Sequence, residues 1–209
     1  MKNIIPSAWQ IRAILENRLS MIAVPIKPQP DSRHHRIDFE QGVLKESVQI
    51  GGCWDVVNKT KPPYPLNQPV YVRETWAMEP SGAYTHKIGY SEPTTGQTGC
   101  DYLGNTIRWR SPVTMPLEAS RFILTPQTIK AVRVQEITNE QWLAIGVNLV
   151  CHHDGEWDCS AYKHCLEGMT AGSCMDKVTS VWNARYAKSG LGYDTNCWCW
   201  LESVNVEGR

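Results

Sequence analysis

Val70-Tyr-Val-Arg-Glu-Thr-Trp-Ala77 alternates as a strand does, with Val70, Val72, Glu74 and Trp76 on one face and Tyr71, Arg73 and Thr75 on the other. Glu74 therefore shares a face with three apolar residues. A carboxylate in that position is either satisfied in the interior by a nearby arginine or faces a groove. Downstream, Ser120-Arg-Phe-Ile-Leu-Thr125 and Ile129-Lys-Ala-Val-Arg-Val-Gln-Glu-Ile137 are expected strands. Cys197-Trp-Cys-Trp-Leu-Glu-Ser-Val-Asn-Val206 is expected to pair into the same sheet. Period two puts Cys197 and Cys199 on one face and Trp198 and Trp200 on the other, which points to core packing for the two thiols.

Upstream, Ser7 to Asn17 has the signals of a helix. Ser7 is placed to cap it, Trp9, Ile11, Ala13, Ile14 and Leu15 supply an apolar side, and Asn17 can end it. Ser20-Met-Ile-Ala-Val-Pro-Ile26 is β-branched and apolar, and Pro25, Pro28 and Pro30 restrict it to an edge strand or an extended exit. Thr138 three residues before Gln141 is a capping box, and Gly146 is a stop signal, so a second helix is expected between them. A third runs from Met175 to about Tyr186. Strands and helices in this mixture predict one α+β domain over 1–209 with loop insertions at about 31–67, 80–105 and 148–174. Within the first insertion, Asp38-Phe-Glu40 and Lys45 to Ile50 are expected short strands.

Twenty-one basic residues balance twenty-one acidic ones. That excludes a protein that coats nucleic acid by net charge alone, while leaving room for a local basic patch. The first residues lack the apolar run of a secretory signal, and nowhere do eighteen apolar residues follow one another, so a cytoplasmic protein without a membrane partner is expected. Nine tryptophans against two phenylalanines supply flat faces for a core or for stacked bases.

Eight cysteines without a signal are expected to be reduced thiols. Cys151, His153, Cys159, His164, Cys165 and Cys174 crowd one insertion with the ligand types zinc prefers, which makes a structural zinc a candidate cofactor. No Cys-X-X-Cys pair is present there, unlike most tight zinc sites. A solvated insertion with its thiols tucked into the core, or a local disulfide formed after purification, is the other reading.

Five motifs in order resemble the ASCH branch of the PUA-like fold, in the version common in bacteriophage and prophage genomes. They are Arg12-Ala-Ile-Leu-Glu-Asn-Arg18 with Lys27-Pro-Gln-Pro30; Val72-Arg-Glu-Thr-Trp76; Trp109-Arg110 with Met115-Pro116 and Ala119-Ser-Arg121; Trp182-Asn-Ala-Arg-Tyr186; and Asn196-Cys-Trp-Cys-Trp200. The resemblance implies a small twisted β-barrel flanked by helices, with a groove beside the first helix suited to RNA, a modified nucleoside or a nucleotide. Fold and function remain separate expectations, because such domains host both binders and enzymes.

Small amidohydrolases of that superfamily deacetylate N4-acetylcytidine with a lysine and a threonine in the turn after the first helix and a glutamate on a later helix. The matching positions here are Leu19, Ile22 and Ile145, none of which can move a proton or attack a carbonyl. The basic pair that closes the family's turn is replaced by Ala23 and Val24. A binder of RNA or a nucleotide-like ligand, without deacetylation, is therefore expected. Its candidate groove residues are Arg18, Ser20, Lys27, Arg73, Glu74, Trp76, Arg110 and Arg121. Two other classes stay open. One is a module that binds a host protein through an apolar patch near Leu19, Ile22 and Ile145. The other is a hydrolase or nuclease with a rebuilt site using Glu74, His34, His35 or the histidines of the insertion.

Overall fold

The computed structural model describes residues 1–30, 35–40, 42–79, 81–89, 107–149 and 171–209. In chain order the elements are β1 (Lys2–Ile4), α1 (Ala8–Leu15), β2 (Met21–Pro25), β3 (His35–Glu40), β4 (Val43–Ile50), β5 (Cys53–Thr60), β6 (Val70–Val72), β7 (Trp76–Met78) and β8 (Tyr84–His86). There follow β9 (Phe122–Arg133), α2 (Asn139–Ala144), α3 (Ala171–Tyr186) and β10 (Trp198–Gly208). The result is a mixed α+β architecture in which β1, β6, β9, β10 and β2 form, in that order, one sheet curled into half a barrel. As Pro25 requires, β2 lies at the sheet edge.

The longest ladder joins β9 to β10. The two strands expected over 120–125 and 129–137 are one, β9, which runs through Pro126. The register shifts between Ser203 and Val204, which pair with Thr128 and Pro126, so Gln127 bulges out and the proline sits where the ladder is already interrupted. Ser203 Oγ secures the bulge, accepting from Thr128 N at 3.1 Å. Residues Val134–Glu136, expected to continue a strand, turn into a 3-10 helix.

The Val70–Ala77 strand is also interrupted. After Val72 the chain leaves the sheet: Arg73 N makes a last bond to Ile4 O, and Glu74 N turns to Met115 Sδ. The chain re-enters pairing at Trp76, against β8 and against Arg110. The insertion at 31–67 carries an antiparallel three-stranded sheet, β3-β4-β5, whose last strand was not expected. Its hairpin turn, Gly51-Gly52, holds both residues at positive φ, as a two-residue hairpin loop demands.

Alternation along β10 sorts the interior. Cys197, Cys199 and Leu201 face Trp142 of α2 and Val178 and Trp182 of α3, with Trp142 and Trp182 edge to face at 5.9 Å. On the other side Trp200 packs with Ile26, Ile129 and Leu44 of β4, which is how the inserted sheet is fastened to the frame. Val204, Leu124, Val70 and Val72 pack with Ile11, Ala13 and Ile14 of α1.

In α1, Leu15 is exposed, against expectation, and Gln10 is buried. Gln10 closes the helix start, its Oε1 accepting from Ser7 N at 3.0 Å and from Arg185 of α3 at 3.3 Å, so burial satisfies it. Asn17 ends the helix in the left-handed region at φ 54°. In α2 the Thr138 and Gln141 capping box forms as read, with Thr138 N donating to Gln141 Oε1 at 2.9 Å and Gln141 N to Thr138 Oγ1 at 3.3 Å.

A candidate binding cleft

Leu19, Ile22 and Ile145 are 5 %, 3 % and 2 % exposed, so the turn after α1 and the end of α2 are part of the core. Ser20 N donates to Ala144 O at 2.8 Å, tying that turn to α2. Gly146, at φ +99°, stands where an added Cβ would come within 2.6 Å of Ala13 Cβ and 3.7 Å of Leu19 Cδ1. Nothing as large as a nucleoside enters between α1 and α2 without parting them. The exposed apolar patch expected of a protein binder at Leu19, Ile22 and Ile145 is likewise absent, because all three side chains are used for packing.

The eight candidate groove residues do not converge. Arg18 pairs with its neighbour Glu16 in solvent, Ser20 is exposed on the tied turn, and Lys27 is exposed beyond β2. Glu74 is 3 % exposed and holds Arg121 in a two-pronged ion pair, with Nε to Oε1 at 2.8 Å and Nη2 to Oε2 at 2.7 Å. Arg121 Nη2 also donates to Ile88 O at 2.7 Å, so the guanidinium ties Glu74 to the segment that follows β8. Glu74 is thus committed to the interior, as one of its two sequence readings had it. His34 lies outside the described residues.

Trp76 and Arg110 do come together, and Arg73 is tied to the turn that follows Arg110. Ser111-Pro112 starts a short 3-10 turn (Pro112–Thr114), with Thr114 Oγ1 donating to Ser111 O at 2.9 Å. Arg73 Nη1 donates to Val113 O on this turn at 2.9 Å. Pairing of Trp76 with Arg110 through both backbone N–H groups sets Arg110 beside the indole, its guanidinium 4.9 Å from the ring centroid. Between these residues opens a cleft of about 620 Å³ lined by Trp76, Arg108, Trp109 and Arg110 and, across from them, by Ser111, Thr114 and Pro116. That volume suits a small organic ligand. Two guanidinium groups, two indoles and two hydroxyls line it, and no carboxylate does. Trp76 Nε1 and Arg73 Nε are buried without an acceptor among the described residues.

Of the lining residues, Trp76 and Arg110 are groove candidates of the sequence, Trp109 stands there only within a motif, and Arg108, Ser111 and Thr114 are not among the candidates. The signal was the run Arg108-Trp-Arg-Ser111 itself, in which aromatic and cation alternate.

Elsewhere the titratable groups are structural. Burial raises the thiols of Cys197 and Cys199, which removes them as nucleophiles at neutral pH. Glu202, on the middle of β10, is 0 % exposed, and neither oxygen has a hydrogen-bond partner among the described residues. Burial pushes its carboxyl up to about 8, opposed in part by Lys2. Tyr64 is pushed up to about 12, by burial first and by Glu202 second. Of the candidate zinc ligands, Cys151, His153, Cys159, His164 and Cys165 lie outside the described residues, as does the side chain of Cys174. Among the described residues there is no cluster of three metal-ligating side chains, and no helix long and apolar enough to cross a membrane.

Comparison with protein-family models, with curated proteins and with solved structures gives no match.

Proposed function

We propose that this chain is a PUA-like domain of the ASCH type that binds RNA or a nucleotide-like ligand in the cytoplasm and does not perform the family's deacetylation. The observation that carries the binding reading is the cleft beside Trp76, where Arg108 and Arg110 meet two indoles with no carboxylate to neutralise them. Guanidinium groups pair with phosphate oxygens and stack on bases, and an indole supplies a face or an N–H donor. The loss of deacetylation follows from Leu19, Ile22 and Ile145, which fill with packed carbon the places where a lysine, a threonine and a glutamate would act.

Photocrosslinking tests the location. Short single-stranded RNA carrying 4-thiouridine, irradiated with the protein and mapped by mass spectrometry, should mark peptides that contain 107–116. Crosslinks confined to α1 and α2 would contradict the assignment.

A specific feature supports a second reading, a protein-interaction module. Trp54 and Val56 alternate onto one face of β5 and are exposed there, an apolar surface such a module can use in place of the buried Leu19, Ile22 and Ile145.

A further inference from the structure

Resting on the binding reading above, we infer that the cleft takes a single-stranded phosphodiester chain, contacted at several successive phosphates, and not a lone nucleotide. The charge around the cleft extends past its walls. Arg73 is fastened to Val113 O at one side, and Arg209 donates through Nη1 to Leu117 O at 2.7 Å at the other. Val113 adjoins the lining residue Thr114, and Leu117 adjoins the lining residue Pro116. With Arg108 and Arg110, four guanidinium groups are therefore strung along one segment, 108–117.

None of the four has a carboxylate within ion-pair distance among the described residues; the arginine of this region that does, Arg121, is taken by Glu74. In a chain whose total charge is zero, four arginines without an ion pair gathered at this segment, against the one exposed carboxylate of Glu118 beside it, are a local excess. One phosphate cannot use four separated cations. A backbone with a charge at every nucleotide can. The backbone carbonyls of Val113 and Leu117 keep Arg73 and Arg209 in place before a ligand arrives, so little order remains to be gained at these two residues on binding.

The test compares a fluorescein-labelled twelve-nucleotide RNA, the DNA of the same sequence, the corresponding duplex, and adenosine and uridine monophosphates. Both single strands should bind at least about tenfold more tightly than either monophosphate and than the duplex. The logarithm of affinity should fall with the logarithm of salt concentration with a slope of about −3, the value for about four phosphate contacts on a single strand. R108A and R209A should each shallow that slope by about 0.7 to 1. R209K, which keeps the charge, should retain most of it and guards against a folding defect at the C-terminal strand. Monophosphates that bind as tightly as the oligonucleotides, and that lose binding in R108A or R110A, would overturn the chain and leave the nucleotide-binding reading standing. Absence of binding by all the probes would overturn both.

Discussion

Gly146 at the end of α2 lies against Ala13 of α1 with no space for one more methyl group. The contact closes the site where the resemblance placed a reactive groove, and it makes a sharp demand on the sequence. Alanine at 146 would have to hold φ near +99° and push its Cβ into a neighbour at 2.6 Å. G146A is expected to cost about 2–4 kcal/mol from overpacking and backbone strain together. Urea denaturation measures it; a change under about 0.5 kcal/mol would mean that the two helices part easily and that the groove is merely shut.

The pair between Glu74 and Arg121 is buried on the carboxylate side and bidentate. R121A leaves that carboxylate without its partner and should destabilise the fold by about 3–5 kcal/mol, whereas E74M/R121M, which removes both charges, should cost much less. A double-mutant cycle in thermal melts separates the two. Loss of ligand binding in R121A would then report unfolding, and Arg121 is a poor probe of the cleft for that reason.

Glu202 predicts a pH dependence with a definite sign. Its folded-state value of about 8 lies above the ordinary 4.5, so between these two pH values the folded chain keeps a proton that the unfolded chain has released. Stability conferred by the neutral acid is complete below about 4.5 and is lost as pH rises toward 8, at no more than about 1.4 kcal/mol per unit. E202Q, which cannot ionise, should flatten this slope and be the more stable form at pH 8. Equal slopes in the two proteins would show that Glu202 meets water or a partner in solution.

The thiols make a simpler case. Cys53 is exposed, and Cys197 and Cys199 are buried behind α2 and α3. Maleimide labelling of the native protein followed by peptide mapping should modify Cys53 within minutes and the pair on β10 only on unfolding. Fast labelling at Cys199 would contradict its place in the core.

Most of the frame was legible because periodicity and caps act locally. The alternation of Cys197 to Trp200, the Thr138 and Gln141 box and the proline-restricted edge at Pro25 are each set by a few neighbouring residues. The misreadings arose where tertiary contacts prevail. Residues 120–125 and 129–137 read as two strands, yet they are one, and a bulge absorbs the proline between them. Val70–Ala77 looked continuous, yet Glu74 turns away to reach Arg121, forty-seven residues along the chain. The site was harder still. Trp76 and Arg110 are thirty-four positions apart in sequence and meet through an isolated bridge, and no local pattern encodes that distance. The charge excess around the cleft was invisible in a composition that sums to zero, because it comes from arginines at 73, 108, 110 and 209 gathered by the fold.

The most direct measurement is an anisotropy titration of a short single-stranded RNA against the native protein and the R108A/R110A variant, with melting curves on both. Saturable binding that weakens at least about tenfold in the variant, at an unchanged melting temperature, is the expected result. Equal affinity in the two proteins would contradict the assignment of the cleft.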